Sequence, residues 1–137
     1  MMMSDSQRMA VRTHGVMVGR MLIGLLFLVS GYMKLTGEGG VGGFSGMVEG
    51  LGLPAAGLLA WVVVLVELIG GALLILGWRV GQAAGVLVVF LVLTVLLVHN
   101  PLSDAAQLGT ALKNLAIAGG LLYVLAYGAG EGWKVRA

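Results

Sequence analysis

Four apolar stretches, each of about twenty residues, constrain this chain more than any other feature. They cover residues 16–35, 55–76, 80–98 and 106–127. A helix of about that length crosses the hydrocarbon core of a bilayer. Because a segment in lipid must satisfy its own backbone, and the period-two alternation of a barrel is absent, each stretch is predicted to be a membrane-spanning helix.

The composition extends the membrane prediction to the whole chain. Of its 137 residues, 59% are hydrophobic and only 10% are charged, whereas about a quarter are charged in a soluble domain. The eight Lys and Arg are scattered along the chain, so nucleic acid is not a predicted partner. The absence of cysteine excludes disulfides, thiolate metal sites and covalent c-type haem attachment, and no metal site is predicted.

The links between the spans predict an all-α, up-down-up-down four-helix bundle that forms a single domain over residues 1–137. Residues 77–79 leave room only for a tight antiparallel turn. Pro101 ends the third span, and Asp104 with Gln107 resembles a capping box that opens the fourth. The Gly-rich link 37–54 keeps apolar residues at helical spacing, which predicts a short interfacial helical turn.

The distribution of basic residues predicts that both termini are cytoplasmic. Short cytoplasmic flanks carry an excess of Lys and Arg, and an even number of spans puts both ends on one side. The opposite side has only Lys34 and Lys113. The side with the termini holds Arg8, Arg12, Arg79, Lys134 and Arg136.

Glu67 lies in the middle of the second span, where an unpaired carboxylate costs about 3 kcal/mol or more. At ~1.5 Å per residue, Arg20 lies about 21 Å below the outer end of the first span, and Glu67 about 18 Å below that of the second. Similar depth on antiparallel neighbours predicts a buried Arg20–Glu67 ion pair. Such a pair can be structural, because it fixes the register of the helices.

Four further polar residues fall in the outer half of the predicted bundle: Lys34, His99, Lys113 and Asn114. Together they predict a ligand-binding pocket that opens toward the extracytoplasmic leaflet. His99, Lys113 and Glu67 are the candidates for any catalytic role. Simpler interpretations remain open: the lysines can snorkel to the interface, His99 can be a boundary residue, and Asn114 can hydrogen-bond across helices.

Helical spacing assigns inward faces to two of the spans. In the first, one face holds Arg20, Gly24, Phe27, Gly31 and Lys34. In the fourth, Lys113, Ala116, Gly120 and Val124 share a face. Both faces are predicted to point into the bundle.

Several motifs resemble the DoxX family over nearly the whole chain. Residues 20–35 are similar to its opening signature, and Glu67-Leu-Ile-Gly-Gly, His99 and Lys113-Asn114-Leu-Ala are similar to its later motifs. The resemblance implies a small four-helix protein of the bacterial or archaeal inner membrane. It also implies an association with quinone-linked redox processes or with membrane complexes that handle oxidative stress.

The function predicted on this basis is a membrane subunit associated with an oxidoreductase or a quinone-linked process. The alternative is a non-catalytic structural or accessory subunit that docks and stabilises a larger membrane complex. A small lipid-binding or carrier protein is a third hypothesis. The predicted partners are the lipid bilayer and other membrane subunits or a second copy. The sequence carries no evident cofactor ligands, a quinone is the candidate cofactor, and whether the chain is an enzyme is left open.

Overall fold

The computed structural model describes residues 2–135, which form six α-helices and contain no strand. The all-α prediction is therefore confirmed. The helices are α1 (Asp5–Ala10), α2 (Val16–Thr36), α3 (Gly40–Gly50), α4 (Ala56–Leu76), α5 (Val80–Leu97) and α6 (Leu108–Tyr127). A π-helical turn, Val11–Gly15, joins α1 to α2, and a 3-10 turn, Ala105–Gln107, precedes α6.

Four helical stretches are long and apolar enough to cross a membrane: Asp5–Thr36, Ala56–Leu76, Val80–Leu97 and Ala105–Tyr127. The prediction of a multi-pass membrane protein is confirmed. Large apolar side chains cover the outside of the bundle, and this surface contacts lipid.

The first of these helices begins well before the predicted residue 16 and runs without a break for 32 residues. Its start is explained by a capping box at Ser4, whose hydroxyl accepts from the Gln7 N–H while its own N–H donates to the Gln7 side chain. Because this first part is polar and exposed, it lacks the apolar periodicity by which the span was predicted.

The helices pack in a closed ring, in which α2 contacts α4, α4 contacts α5, α5 contacts α6, and α6 contacts α2. Helix α3 packs against α2 and α4 at one end of this ring, which we call the loop end. The opposite end, where residues 2–15 and 128–135 lie, is called the terminal end. Arg136, one of the basic residues in the orientation prediction, lies outside the described residues.

The core lies where the four long helices meet. Its fully buried large apolar side chains are Phe27 of α2, Leu74 of α4, Leu87 of α5 and Leu121 of α6. The rings of Phe27 and Phe90 meet edge to face, with centroids 6.4 Å apart, and so connect the diagonal helices α2 and α5. The predicted inward face of α2 is confirmed, because Arg20, Gly24, Phe27 and Gly31 are buried.

The closest approach of α2 and α4 is at Gly24 and Gly71. A Cβ atom at Gly24 would lie 2.7 Å from the Gly71 carbonyl oxygen, and one at Gly71 would lie 2.6 Å from the Gly24 oxygen. Small residues at a membrane helix crossing allow such backbone contact. Gly31 lies further along, against Glu67 and Leu68, so the two helices are antiparallel.

We expect Gly24→Ala to lower the free energy of unfolding by about 1–3 kcal/mol, because the added methyl group overpacks the crossing. Gly19→Ala is the matched control on the same helix, since no neighbouring side chain or helix comes within 4 Å of the space that its methyl group would occupy. Thermal unfolding in detergent micelles measures both. Equal stability of the two variants would contradict the crossing as described.

Candidate ligand pocket

A cavity of about 410 Å³ lies at the loop end, beneath α3 and between the facing halves of α4 and α5. Its wall is apolar apart from Lys34, Thr94 and His99. Because the Thr94 hydroxyl already donates to the Phe90 carbonyl of its own helix, Lys34 and His99 are the remaining polar side chains of the wall. The other lining residues are Phe44, Met47, Val48, Leu51, Leu53, Leu59, Val62, Val63, Val66, Val86, Val89, Phe90, Leu93, Leu97 and Val98.

Helix α3 supplies the lid of this cavity. Phe44, Met47, Val48 and Leu51 line it, and Glu49 is exposed. The short helical turn predicted in the Gly-rich link is therefore confirmed, and its apolar face packs over the bundle. A second hollow next to Lys34 is lined by α2 residues alone, so it is a groove on the outer surface and cannot enclose a ligand.

Lys34 enters the pocket wall from the last turn of α2. Its ammonium lies 2.7 Å from Glu67 Oε1 and donates to Ser30 Oγ at 2.8 Å. The Phe44 ring centroid lies 5.5 Å away, within cation–π range. The Lys34 side chain is 26% exposed and that of Glu67 only 4%, so the lysine is the member of the pair that reaches the cavity.

The predicted Arg20–Glu67 pair is wrong, because Glu67 pairs with Lys34 instead. The prediction aligned the ends of the apolar stretches, but Gly24 of α2 lies opposite Gly71 of α4. At ~1.5 Å per residue, this register puts Arg20 about two turns from the level of Glu67. Side chains also tilt toward the N-terminus of their helix, so Lys34 and Glu67 lean toward each other while Arg20 leans away.

His99, two residues after the end of α5, contacts Gln107 just before α6. Its Nδ1 lies 2.8 Å from Gln107 Oε1. An amide oxygen only accepts, so the neutral ring donates from Nδ1 and leaves Nε2 as an acceptor. The capping box predicted for Asp104 and Gln107 forms only in part. Asp104 caps the 3-10 turn before α6, where its side chain accepts from the Ala106 N–H, whereas the Gln107 side chain contacts His99.

Two comparisons with known proteins bear on this fold and pocket. The family model described as DoxX matches residues 15–100. The chain belongs to the DoxX family. The matched region runs from the start of α2 to the end of α5 and includes every residue that lines the pocket of this DoxX protein.

A curated relative covers most of the chain. It is the inner membrane protein YqjF of Escherichia coli (strain K12), which is 32% identical over 116 residues, or 85% of each chain. No solved structure matches the chain.

Arg20 of this DoxX protein caps the terminal end of α4. Its Nη1 donates to the carbonyls of Leu74 (2.7 Å) and Ile75 (3.1 Å), and Nη2 donates to the Trp133 carbonyl. The last carbonyls of a helix have no partner within the helix, and they favour a nearby cation. Arg20 therefore supplies hydrogen-bond donors to two of the last carbonyls of α4 and holds the C-terminal segment against the end of this helix.

The remaining carbonyls of this helix end are satisfied by backbone groups. The Leu73 carbonyl accepts from the N–H groups of Gly77 and Trp78, and the Leu76 carbonyl accepts from Val135. With the two bonds from Arg20, all of the last four carbonyls of α4 have donors. The cap thus depends on one buried side chain and on the returning C-terminal segment of residues 128–135.

The structure does not bring Lys113 or Asn114 to the pocket. Lys113 is exposed on the outside of α6, and Asn114 is half-buried away from the cavity wall. In this part of α6, Ala111 is the residue that faces the bundle. Lys113 is two residues further along, and a side chain two residues on in a helix points about 200° away. The predicted inward face of α6 is therefore wrong in its first half: Lys113 and Ala116 are exposed, and Val124, near the other end of the helix, is the member of that face that is buried.

Ser30, Phe44 and Gln107 are functional neighbours that were not predicted for this site. Ser30 lies one helical turn before Lys34, and that spacing was the available signal. Phe44 and Gln107 are separated from Lys34 and His99 by a turn of the chain, so only the packing of α3 and the turn before α6 reveals them.

Proposed function

We propose that this DoxX protein is an inner-membrane subunit that binds a quinone in the pocket at Lys34 and His99 and serves a quinone-linked redox process. One observation carries the proposal: an apolar cavity between membrane-spanning helices ends at two polar side chains with hydrogen-bonding capacity to spare. Ligand sites are typically concave, largely apolar and about 300–1,000 Å³ in volume, with few polar groups. The cavity, at about 410 Å³, fits that description.

The two polar residues match the chemistry of a quinone head group. The ammonium of Lys34 has three N–H groups. One donates to Ser30 Oγ, and none is aligned with Glu67 Oε1 although the two charged atoms lie 2.7 Å apart. A free N–H group donates to a quinone carbonyl. His99 Nε2 accepts from the hydroxyl of the reduced quinol.

The exposure of the α5 side of the pocket supports the entry of a ligand from the bilayer. Of the α5 residues that line it, Val86, Val89 and Leu97 are each more than half exposed. In a membrane these side chains face lipid, so a ligand dissolved in the hydrocarbon core reaches the cavity between α4 and α5. The electrons of the reaction come, in this proposal, from a partner subunit.

We expect His99→Ala to weaken the binding of decylubiquinol about tenfold, because the head-group hydroxyl loses its acceptor, His99 Nε2, in an apolar site. Native mass spectrometry of the full chain in nonionic detergent measures the bound fraction. His14→Ala is the matched control, since His14 is exposed near the terminal end. This control should bind as the unmodified chain does.

Equal binding by the two histidine variants, or no binding by the unmodified chain, would contradict the quinone proposal. The accessory-subunit alternative would then be favoured. It has one structural feature in its support, the exposed Lys113 within the apolar surface of α6, where a partner of opposite charge could dock.

A further inference from the structure

We propose that Glu67 makes the pocket selective for neutral amphiphiles with a hydrogen-bond acceptor and excludes anionic ones such as fatty acids. The inference deepens the proposed function, since it concerns the ligand class of the same cavity. It assigns Glu67, which does not line the cavity, a role as a specificity-determining residue that acts through Lys34.

The charge of the pocket wall is already balanced. Among the lining residues, Lys34 is the one lysine or arginine, and its ammonium lies 2.7 Å from Glu67 Oε1. The carboxylate is 4% exposed, and Oε1 has no aligned hydrogen-bond donor despite the short distance. Glu67 therefore depends on Lys34 as the opposite charge that stabilises it.

An anionic ligand would disturb this balance. A carboxylate bound to the free N–H of Lys34 would lie roughly 4–6 Å from Glu67, a range in which like charges strongly disfavour each other. The wall of the cavity is largely apolar, and charges near apolar protein surroundings repel each other more strongly than charges in bulk water. A neutral carbonyl or ester oxygen accepts the same hydrogen bond without adding charge, so the pocket binds it in preference.

Two ligands with the same acyl chain, one neutral and one anionic, test this selectivity on the unmodified chain. Methyl laurate is neutral, and laurate is ionised at pH 8.5. By native mass spectrometry of the full chain in nonionic detergent, we expect methyl laurate to bind at least about tenfold more tightly. Laurate binding as tightly as its ester, or binding of neither ligand, would overturn the proposal.

The variant Glu67→Gln tests the cause. It removes the negative charge at nearly constant shape and leaves Lys34 as an unbalanced cation, so laurate should bind at least about tenfold more tightly than to the unmodified chain. Methyl laurate binding should change little. Glu49→Gln is the matched control, because it makes the same charge change on the exposed side of α3 and should alter neither affinity.

The outcomes separate this inference from the quinone proposal. If Glu67→Gln fails to fold, the ester–acid comparison on the unmodified chain still decides. A folded Glu67→Gln variant without a gain for laurate would overturn the inference even if decylubiquinone binds. If the chain binds the ester in preference to the acid but does not bind decylubiquinone, the quinone proposal is contradicted and the selectivity inference is supported.

Discussion

Replacing Arg20 with methionine is expected to lower the free energy of unfolding by about 3–5 kcal/mol. The variant loses three hydrogen bonds from a charged donor and leaves the Leu74, Ile75 and Trp133 carbonyls without it. Hydrogen bonds to charged groups contribute about 1.5–3 kcal/mol each, and buried polar groups left unpaired are costly. The C-terminal segment, residues 128–135, should also become sensitive to protease.

Unfolding in mixed detergent and SDS, followed by circular dichroism, measures the effect. Arg12→Met is the matched control, since Arg12 is exposed on the same continuous helix. Arg20→Lys should restore only part of the stability, because an ammonium cannot reproduce the two-armed geometry of the guanidinium. An Arg20→Met variant as stable as Arg12→Met would show that the hydrogen bonds from Arg20 to the end of α4 do not contribute to the stability of the fold.

The second large effect is expected for Lys34→Met, which leaves Glu67 buried without an opposite charge. Removing one partner of a buried ion pair typically costs about 3–5 kcal/mol, whereas replacing both by apolar residues of similar size is often neutral. The double variant Lys34→Met with Glu67→Met should therefore recover most of the stability lost in Lys34→Met alone.

A double-mutant cycle over these two positions measures the coupling directly. Lys113→Met is the control for loss of a lysine, because Lys113 is exposed on α6. It should change stability by less than about 0.5 kcal/mol. Additive losses in the double variant would show that the two charges do not stabilise each other.

The helices and the inward face of α2 could be predicted from the sequence. The steps of three and four from Arg20 to Lys34 identified the buried face of α2, because helical spacing is regular within one helix. The start of α1 was missed since its residues are polar. The length of an apolar stretch reports the extent of the hydrocarbon core and says little about where a helix begins.

The contacts between helices were harder to predict. The similar depths calculated for Arg20 and Glu67 predicted that they are neighbours. The register of α2 against α4 is instead set by the Gly24–Gly71 crossing, and residue spacing within a single helix does not reveal such a crossing. The opposite tilt of side chains on antiparallel helices would have favoured Lys34 as the partner. Lys113 was misplaced for a related reason: α6 turns a different side to the bundle near Ala111 than near Val124.

Photoaffinity labelling tests the central claim, that the cavity beneath α3 is the ligand site, most directly. The probe is a quinone whose tail carries a diazirine, and labelled residues are mapped by mass spectrometry of the full chain. The expected labels fall within residues 44–53, 59–66 and 86–98, and unlabelled decylubiquinone should compete for them. Labelling confined to the outer surface of α6, or labelling that the competitor does not reduce, would contradict the assignment of this pocket.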